Sequence, residues 1–245
     1  MQINHFEHPL NEKVRIYLRL EYLLRQMNHA SQLNDPWQHQ LFFRALFDML
    51  EILDQIQLKS ELVKDLDKQR LKLKPWLNVD GVDQHALLQL LDKLDLTHHQ
   101  LLTANRLGQE LREDRFLGSI KQRLSIPGGS CCFDLPALHY WLHLPLAHKQ
   151  NDVKNWLAQV SELSAALHLW LKLIRESGQF QPQVARAGFF QHDANEANLL
   201  RLDICLSHGV YPMISGHRSR FAIRFLPFED GAGIADSIEF KLAIC

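Results

Sequence analysis

The hydrophobic period of the chain changes at Gly178, and this change limits the possible folds more than any other feature of the sequence. Before that residue, apolar side chains recur every three to four positions. Residues 151–176 form the longest such stretch, which predicts one amphipathic helix ended by Gly178 as a C-terminal cap. Beyond it, residues 200–206, 221–225 and 238–244 alternate apolar with polar or small side chains. A period of two predicts half-buried antiparallel strands.

This order of segments predicts an α+β protein, with an N-terminal multi-helix domain followed by a small antiparallel β-sheet domain. The helical domain is expected to span residues 1–178 with at least five or six helices. The β-domain is expected to span residues 179–245 with three or four strands, one of them at residues 188–193. The apolar face of the sheet is expected to pack on the helices or on residues 1–7, which would then add a strand.

The composition excludes several classes of protein. With 46% hydrophobic residues in a chain of 245, the protein can bury a substantial core, which argues against wholesale disorder. A formal net charge of −1 gives no overall attraction to nucleic acid or to an anionic membrane. The sequence begins without a signal-peptide pattern and holds no apolar run of about 18 residues. The four cysteines show no CxxC spacing, so we expect a reduced protein of the cytoplasm.

The stretch IPGGSCCFDLPALHYWLHLP, residues 126–145, holds side chains that could form a catalytic or metal site. A serine nucleophile in a G-x-S-x-G turn is disfavoured, because Cys132 stands where the second glycine would be. A metal site is suggested by His139 and His143, whose spacing of four places both imidazoles on one helix face. A zinc protease would need glutamate after the first histidine, and Tyr140 stands there instead.

The same stretch is explained more simply as a junction between elements. The Pro-Gly-Gly run would end one helix, and residues 130–133 would form a short extended segment. Asp134 would cap the next helix, with Pro136 in its first turn. In that interpretation Cys132 is a small buried residue. We therefore predict no catalytic residue, no bound metal and no cofactor.

Arginine clusters are the remaining candidates for a binding site. The planar guanidinium suits carboxylate or phosphate groups and keeps its charge when partly desolvated. In residues 111–115 the nearby acids favour intramolecular salt bridges, whereas residues 217–224 contain no acid, which favours a ligand or partner there. The basic residues fall in three clusters. The first predicted helix carries Arg15 and Arg19, the segment around 111–115 carries Arg106, Arg112, Arg115, Lys121 and Arg123, and the last cluster consists of His217, Arg218, Arg220 and Arg224.

Five blocks of the sequence are similar to the ZapD family. They are FEHPLNEK at 6–13, LREDR at 111–115, RLSIPGG at 123–129, FDLPALHYWLHLP at 133–145 and SGHRSRFAIRFLP at 215–227. ZapD proteins are bacterial cytosolic proteins that bind the division GTPase FtsZ and bundle its filaments. The similarity runs in matching order from residue 6 to the C-terminus. The departures lie in the spacers at 28–40, 178–198 and 228–236.

The resemblance implies a homodimeric adaptor without enzymatic activity, which is cytoplasmic and recruited to the mid-cell division ring. Its partner would be the C-terminal tail of FtsZ, a short segment with acidic and apolar residues, held on a basic surface of the helical part. The positions that match this surface are Arg19, Arg115 and His139. The charge pattern of this sequence extends the partner-binding set to Arg112, Arg218, Arg220 and Arg224.

Two other functions would use the same residues. Nucleic-acid binding would use the arginine clusters with Phe221 and Phe225, but the predicted strand turns both rings inward, away from a stacking position. A metal-dependent hydrolase would be centred on Cys131, His139 and His143. Neither a membrane nor a nucleic acid is an expected partner.

Overall fold

The computed structural model describes residues 2–32, 35–55, 57–217 and 219–245. Within these ranges the chain forms nine α-helices and seven β-strands, so the predicted α+β class is confirmed. The strands are β1 Ile3–Pro9, β2 Gln181–Arg186, β3 Phe189–Asp193, β4 Leu199–Cys205, β5 Val210–Gly216, β6 Arg220–Pro227 and β7 Ser237–Ile244. The helices are α1 Glu12–Ser31, α2 Pro36–Gln55, α3 Leu58–Leu73, α4 Gln84–Thr103, α5 Gln109–Glu113, α6 Arg115–Leu124, α7 Pro136–Leu142, α8 Leu146–Ala158 and α9 Ser161–Ser177.

Contacts between residues divide the chain into two compact units. The sheet unit consists of Met1–Leu18 with Leu171–Cys245 and contains every strand named above, and the helical unit consists of Arg19–Trp170. The N-terminal residues belong to the sheet unit because β1 pairs along its whole length with β4. Domain limits at 1–178 and 179–245, in the sense of parts that fold alone, stay a prediction.

The core of the helical unit is built on α2. Its residues Phe42, Phe43, Leu46 and Met49 are at most 1% exposed and follow the spacing of one helix face. The N-terminus of α2 is stabilised by the carboxylate of Asp35, which accepts the backbone N–H of Trp37 at 3.0 Å, and by a proline at the first helical position. The side chains of α2 therefore form the surface on which the later helices pack.

The single helix predicted over residues 151–176 is interrupted. Helix α8 ends at Ala158 and α9 begins at Ser161, because the backbone N–H groups of Gln159 and Val160 bond to carbonyls only three residues earlier. The hydroxyl of Ser161 donates to the carbonyl of Ala158 at 2.7 Å. Apolar residues on both sides of the break remain buried. The hydrophobic period therefore continues across a turn that it does not reveal.

The sheet has more strands than the three or four predicted. Its order is β1-β4-β7-β2-β3-β6-β5, and all neighbouring pairs run antiparallel. The predicted strands correspond to β3, β4, β6 and β7, while β2 and β5 were missed. Both missed strands contain a proline, and apolar residues also stand at their exposed positions, among them Val184, Tyr211 and Met213, so the sequence does not alternate.

Of the two expectations for the sheet, the added N-terminal strand is confirmed, since residues 3–9 pair with β4 as β1, and Phe6 and Leu10 pack in the cluster of the apolar face. Phe221, Ile223 and Phe225 of β6 meet Ile238 and Phe240 of β7 in one buried cluster. Further strand residues complete the cluster, together with Leu10, Ala194 and Ala197 from connecting segments. A sheet that buries its own inner face leaves the polar positions of each strand pointing outward.

Gly178 follows α9, and a close approach of the chain explains it better than the predicted left-handed cap. Its φ does not lie in the left-handed region. A Cβ at this position would collide with the carbonyl oxygen of Ile244 and would lie 2.7 Å from the Sγ of Cys245. Only glycine therefore lets the end of α9 lie against the last strand.

Candidate functional site

An aromatic cluster fixes the helices that carry two of the predicted site residues. Phe116 of α6 stacks on Trp156 of α8 with ring centroids 5.9 Å apart, and Trp141 of α7 lies 5.9 Å from Phe116. Phe43 of α2 lies 5.4 Å from Trp141. The indole N–H of Trp141 donates to Asp152 at 2.8 Å, so this buried donor is satisfied. The cluster holds α6 and α7 in fixed positions within the helical unit.

Arg115 is the first residue of α6 and is exposed. The preceding Asp114 caps the helix, since its Oδ1 accepts the N–H of Leu117 at 3.0 Å. Its Oδ2 accepts the indole N–H of Trp156 at 3.2 Å. Both oxygens of Asp114 are thus hydrogen-bonded to groups other than Arg115. Arg115 has no ion pair within the described ranges.

Arg112 is engaged inside the molecule. Its guanidinium lies 2.8 Å from the carboxylate of Asp54 on α2 and donates to the carbonyl of Leu107 at 2.7 Å. One fifth of the side chain is exposed. The salt bridge expected in this segment therefore exists, but its acid comes from a different helix and not from the neighbouring Glu113 or Asp114. The partner-binding role of Arg112 stays a prediction.

His139 lies on α7 and is exposed. Its ring centroid is 4.4 Å from that of His143, as the spacing of four predicts. The helix begins with Pro136 at its first position, but Leu135 is the residue before it, so Asp134 is not the cap that was predicted. The backbone N–H groups of both Asp134 and Leu135 bond to the carbonyl of Cys131, at 3.0 and 2.9 Å.

Residues 130–133 form consecutive turns rather than the predicted extended segment. Cys131 and Cys132 are both exposed, so Cys132 is not the buried residue that was expected. The two glycines before them permit the turns, since Gly128 has φ of +73°. No group of three or more His, Cys, Asp or Glu side chains that could hold a metal ion occurs in the described part of the chain.

Arg19 lies on α1 and is exposed. The same helix buries Leu20 and Leu24, which are 0% and 5% exposed, on its opposite side. Tyr22, one turn after Arg19, is 68% exposed and adds an aromatic ring to the surface near this arginine. No ion pair engages Arg19 among the residues that the structure covers.

Two basic residues of the predicted 217–224 cluster, Arg220 and Arg224, lie on the outer face of the sheet. Arg220 and Arg224 are exposed in β6, while the intervening ring of Phe221 is 1% exposed in the core. The guanidinium of Arg220 contacts the side-chain amide of Gln191 on β3. In the register of the sheet, Arg224 is paired with Phe189 of β3. Arg218 lies outside the described residues.

The structure brings few of the predicted residues together. No hydrogen bond, ion pair or ring contact joins Arg19, Arg115 and His139 to one another within the described ranges. These three residues belong to the helical unit, whereas Arg220 and Arg224 belong to the sheet unit. What the first three share is an exposed side chain that is not neutralised by an acid.

A groove that the sequence did not predict lies where α2 ends, α3 begins and α4 ends. Its volume is about 690 Å³, and its floor is apolar, with Leu53, Leu58 and Leu107 each less than a tenth exposed. Leu102 of α4 is 53% exposed on its wall. Two chain segments about forty residues apart form the groove, 53–64 and 102–107, so no local pattern marks it. Leu102 lies outside the buried stripe of α4, but so do the exposed Leu88 and Leu96, so this feature does not single out the groove.

Cations surround this groove. Lys59, Lys64 and Arg106 line it together with one acid, Asp54. These charges are engaged within the molecule: Arg106 and Arg112 lie 3.8 and 2.8 Å from Asp54, and Lys64 lies 3.6 Å from Glu61. The ammonium group of Lys59 donates to the carbonyl of Ala104. The cations at the groove still outnumber the acids. Apolar floor and cationic rim are the two features that a segment with acidic and apolar residues requires.

Burial and hydrogen bonds shift the pKa of a few groups. Loss of hydration lowers the pKa of His39, which is 2% exposed beside Trp141, and its Nδ1 donates to the carbonyl of Asp35 at 2.9 Å. The contact with Ser207 lowers the pKa of the Cys205 thiol, whereas burial raises the pKa of the Cys245 thiol. None of these groups touches Arg19, Arg115 or His139.

Comparison with known proteins gives one consistent result. The model of the ZapD family, described as a cell division protein, matches residues 18–224. The cell division protein ZapD of Photobacterium profundum is 76% identical over 245 residues, which is the whole of both chains. The proteins of the same name from Vibrio parahaemolyticus and Vibrio vulnificus are 63% and 60% identical, also over the whole of both chains. No described helix is long and apolar enough to cross a membrane.

Proposed function

The chain belongs to the ZapD family of cell division proteins, which are not enzymes, and from this premise we propose that it is an adaptor that cross-links FtsZ filaments. In this proposal the protein binds the C-terminal tail of FtsZ, acts as a homodimer, and works in the cytoplasm at the mid-cell division ring. The observation that carries the proposal is the full-length identity with ZapD proteins together with the exposed, unneutralised cations of the helical unit.

The tail-binding surface is proposed to contain Arg19, Arg115 and His139. An acidic segment needs cations that are not already neutralised, and Arg19 and Arg115 meet this condition within the described residues. Arg112, Arg218, Arg220 and Arg224 remain proposed members of the wider set. Of the two described on the sheet, Arg224 is the better candidate, because Arg220 already contacts Gln191.

The apolar residues of the tail need an apolar surface, and its acidic residues need cations near that surface. The groove lined by Leu53, Leu58 and Leu102 offers one, with Lys59 and Arg106 at its rim. We therefore include the groove as a second candidate position for the tail. Leu102→Asp would place a charge on its wall while leaving Arg19 and Arg115 untouched. Weaker tail binding by this variant would support the groove, and unchanged binding would exclude it.

Cross-linking requires two binding sites and no chemical step. A flexible tail loses conformational entropy when it binds, so one site is expected to be weak. A C2 dimer presents two identical sites. When two tails of different filaments are bound at once, the second binding event gains effective concentration, which raises the overall affinity. The homodimer therefore turns weak tail binding into filament bundling.

Nucleic-acid binding is not favoured. Phe221 and Phe225, the aromatic residues beside the arginines of β6, are 1% and 0% exposed in the core of the sheet. Rings in this position offer no platform on which bases could stack.

Co-sedimentation of FtsZ filaments tests the proposal. The variant Arg115→Glu reverses one charge and is expected to abolish bundling while the circular dichroism spectrum and melting temperature stay unchanged. The matched control is Arg44→Glu, which changes another exposed arginine of the helical unit that has no ion pair within the described ranges, and it should bundle like the wild type. Equal bundling by both variants would remove Arg115 from the site.

A further inference from the structure

His139 and His143 form an exposed pair at the end of α7. Their ring centroids are 4.4 Å apart with an angle of 51° between the rings, and both side chains face solvent. We propose that these two histidines together bind one divalent transition-metal ion through their ring nitrogens. Such a site differs from the hydrolase centre considered above, which also included Cys131, because it has only two protein ligands and performs no reaction. His139 belongs to the proposed tail-binding surface as well, so a bound ion would lie on that surface.

The hydrogen bond of His143 fixes which nitrogen is available. Its Nδ1 lies 2.7 Å from the backbone carbonyl of His139, and a carbonyl oxygen only accepts, so Nδ1 carries the proton in the neutral ring. The Nε2 atom then keeps its lone pair and is the ligand. Histidines that bind metals usually donate their other ring N–H in this way, which orients the ring before the ion arrives.

The geometry suits one ion held between the rings. A metal–nitrogen bond is about 2.0–2.1 Å long, so two imidazoles can share an ion only when their rings are close neighbours, as at a spacing of one helical turn. The rings of His139 and His143, with centroids 4.4 Å apart, are such close neighbours. The backbone of His143 is held in place at the end of α7, where this residue is the C-cap and its N–H donates to the carbonyl of Tyr140 at 3.1 Å.

The ligand set selects the class of ion. Imidazole suits Zn²⁺, Ni²⁺ and Cu²⁺, whereas Mg²⁺ and Ca²⁺ prefer oxygen. Within the described residues no third His, Cys, Asp or Glu joins the pair, so water would fill the remaining positions. Tyr140 occupies the place at which a zinc protease carries its glutamate base. The site is therefore expected to bind reversibly and not to activate water for hydrolysis.

Titration calorimetry with ZnCl₂ on the metal-free full-length protein tests the proposal. The wild type should bind one Zn²⁺ at a site that depends on both histidines. Joining two imidazoles on one helix makes the second bond intramolecular, so His143→Gln and His139→Gln should each weaken this site by about a hundredfold. The matched control is His148→Gln, which removes an exposed histidine of α8 that has no side-chain bond within the described ranges, and it should bind Zn²⁺ like the wild type.

The exposed cysteines require a second control, because thiolates also bind Zn²⁺. The double variant Cys131→Ser, Cys132→Ser should keep the site of the wild type. Loss of Zn²⁺ binding in that double variant would overturn the proposal, since the thiols and not the imidazoles would then hold the ion. Wild-type affinity in His143→Gln, with an unchanged circular dichroism spectrum, would overturn it as well.

Discussion

Removal of the Asp114 carboxylate should destabilise the helical unit through two separate bonds. Its Oδ1 caps α6 by accepting the N–H of Leu117, and its Oδ2 accepts the indole N–H of Trp156. Loss of an N-cap costs about 1 kcal/mol. Loss of a typical hydrogen bond costs about 1 kcal/mol more. We therefore expect Asp114→Ala to lower the free energy of unfolding by about 2 kcal/mol.

Asp114→Asn separates the two contributions. The amide oxygen of asparagine can still cap the helix, since Asn and Asp are similar N-cap residues. The amide nitrogen that replaces Oδ2 cannot accept the indole N–H of Trp156. The asparagine variant should therefore lose about half as much stability as the alanine variant, which is about 1 kcal/mol.

Urea denaturation followed by far-ultraviolet circular dichroism provides the measurement, with linear extrapolation to water. At this chain length the alanine variant should also melt about 4–8 °C lower than the wild type. The reasoning would be refuted if Asp114→Asn and Asp114→Ala lost the same free energy, because capping would then contribute nothing. If Asp114→Ala lowered the free energy of unfolding by less than about 0.5 kcal/mol, neither the helix cap nor the bond to Trp156 would contribute as argued.

Two further predictions concern stability. Gly178→Ala should lower the melting temperature because its Cβ would collide with the carbonyl of Ile244, whereas Gly118→Ala, where a Cβ meets nothing within 4 Å, should not. Burial lowers the pKa of His39 in the folded protein below the value of about 6.5 that a histidine has in an unfolded chain. The unfolded chain therefore binds more protons than the folded protein as the pH decreases through that value, and the free energy of unfolding should fall. His39→Gln should reduce this pH dependence in urea titrations at pH 7.5 and 5.5; an identical dependence in variant and wild type would contradict the assignment.

Most parts of the fold that the sequence predicted are those where burial is periodic, although β3 was predicted too and its side chains are mostly exposed. Strands β4, β6 and β7 alternate buried and exposed side chains, and the helical segments bury one stripe. Strands β2 and β5 were missed because apolar residues such as Val184, Tyr211 and Met213 stand at exposed positions, so hydrophobicity carries no period there. The break between α8 and α9 was missed for the opposite reason, since burial continues across it.

The candidate site was predictable only where neighbours in sequence are neighbours in space. The pair His139 and His143 follows from a spacing of four, and the structure places the rings together. The partner of Arg112 did not follow, because Asp54 comes from a helix more than fifty residues earlier. The cationic groove was also missed, since the ends of three helices form it. Contacts between distant segments depend on the folded core and leave no local pattern.

Binding of an FtsZ tail peptide is the most direct test of the central claim. Fluorescence anisotropy of the labelled peptide, titrated with the full-length protein at about 50 and 500 mM salt, measures affinity and its electrostatic part in one experiment. The account predicts saturable binding at low salt that weakens strongly at high salt, because exposed arginines are screened by ions. Absence of binding at both salt concentrations would contradict the account, as would an affinity that does not change with salt.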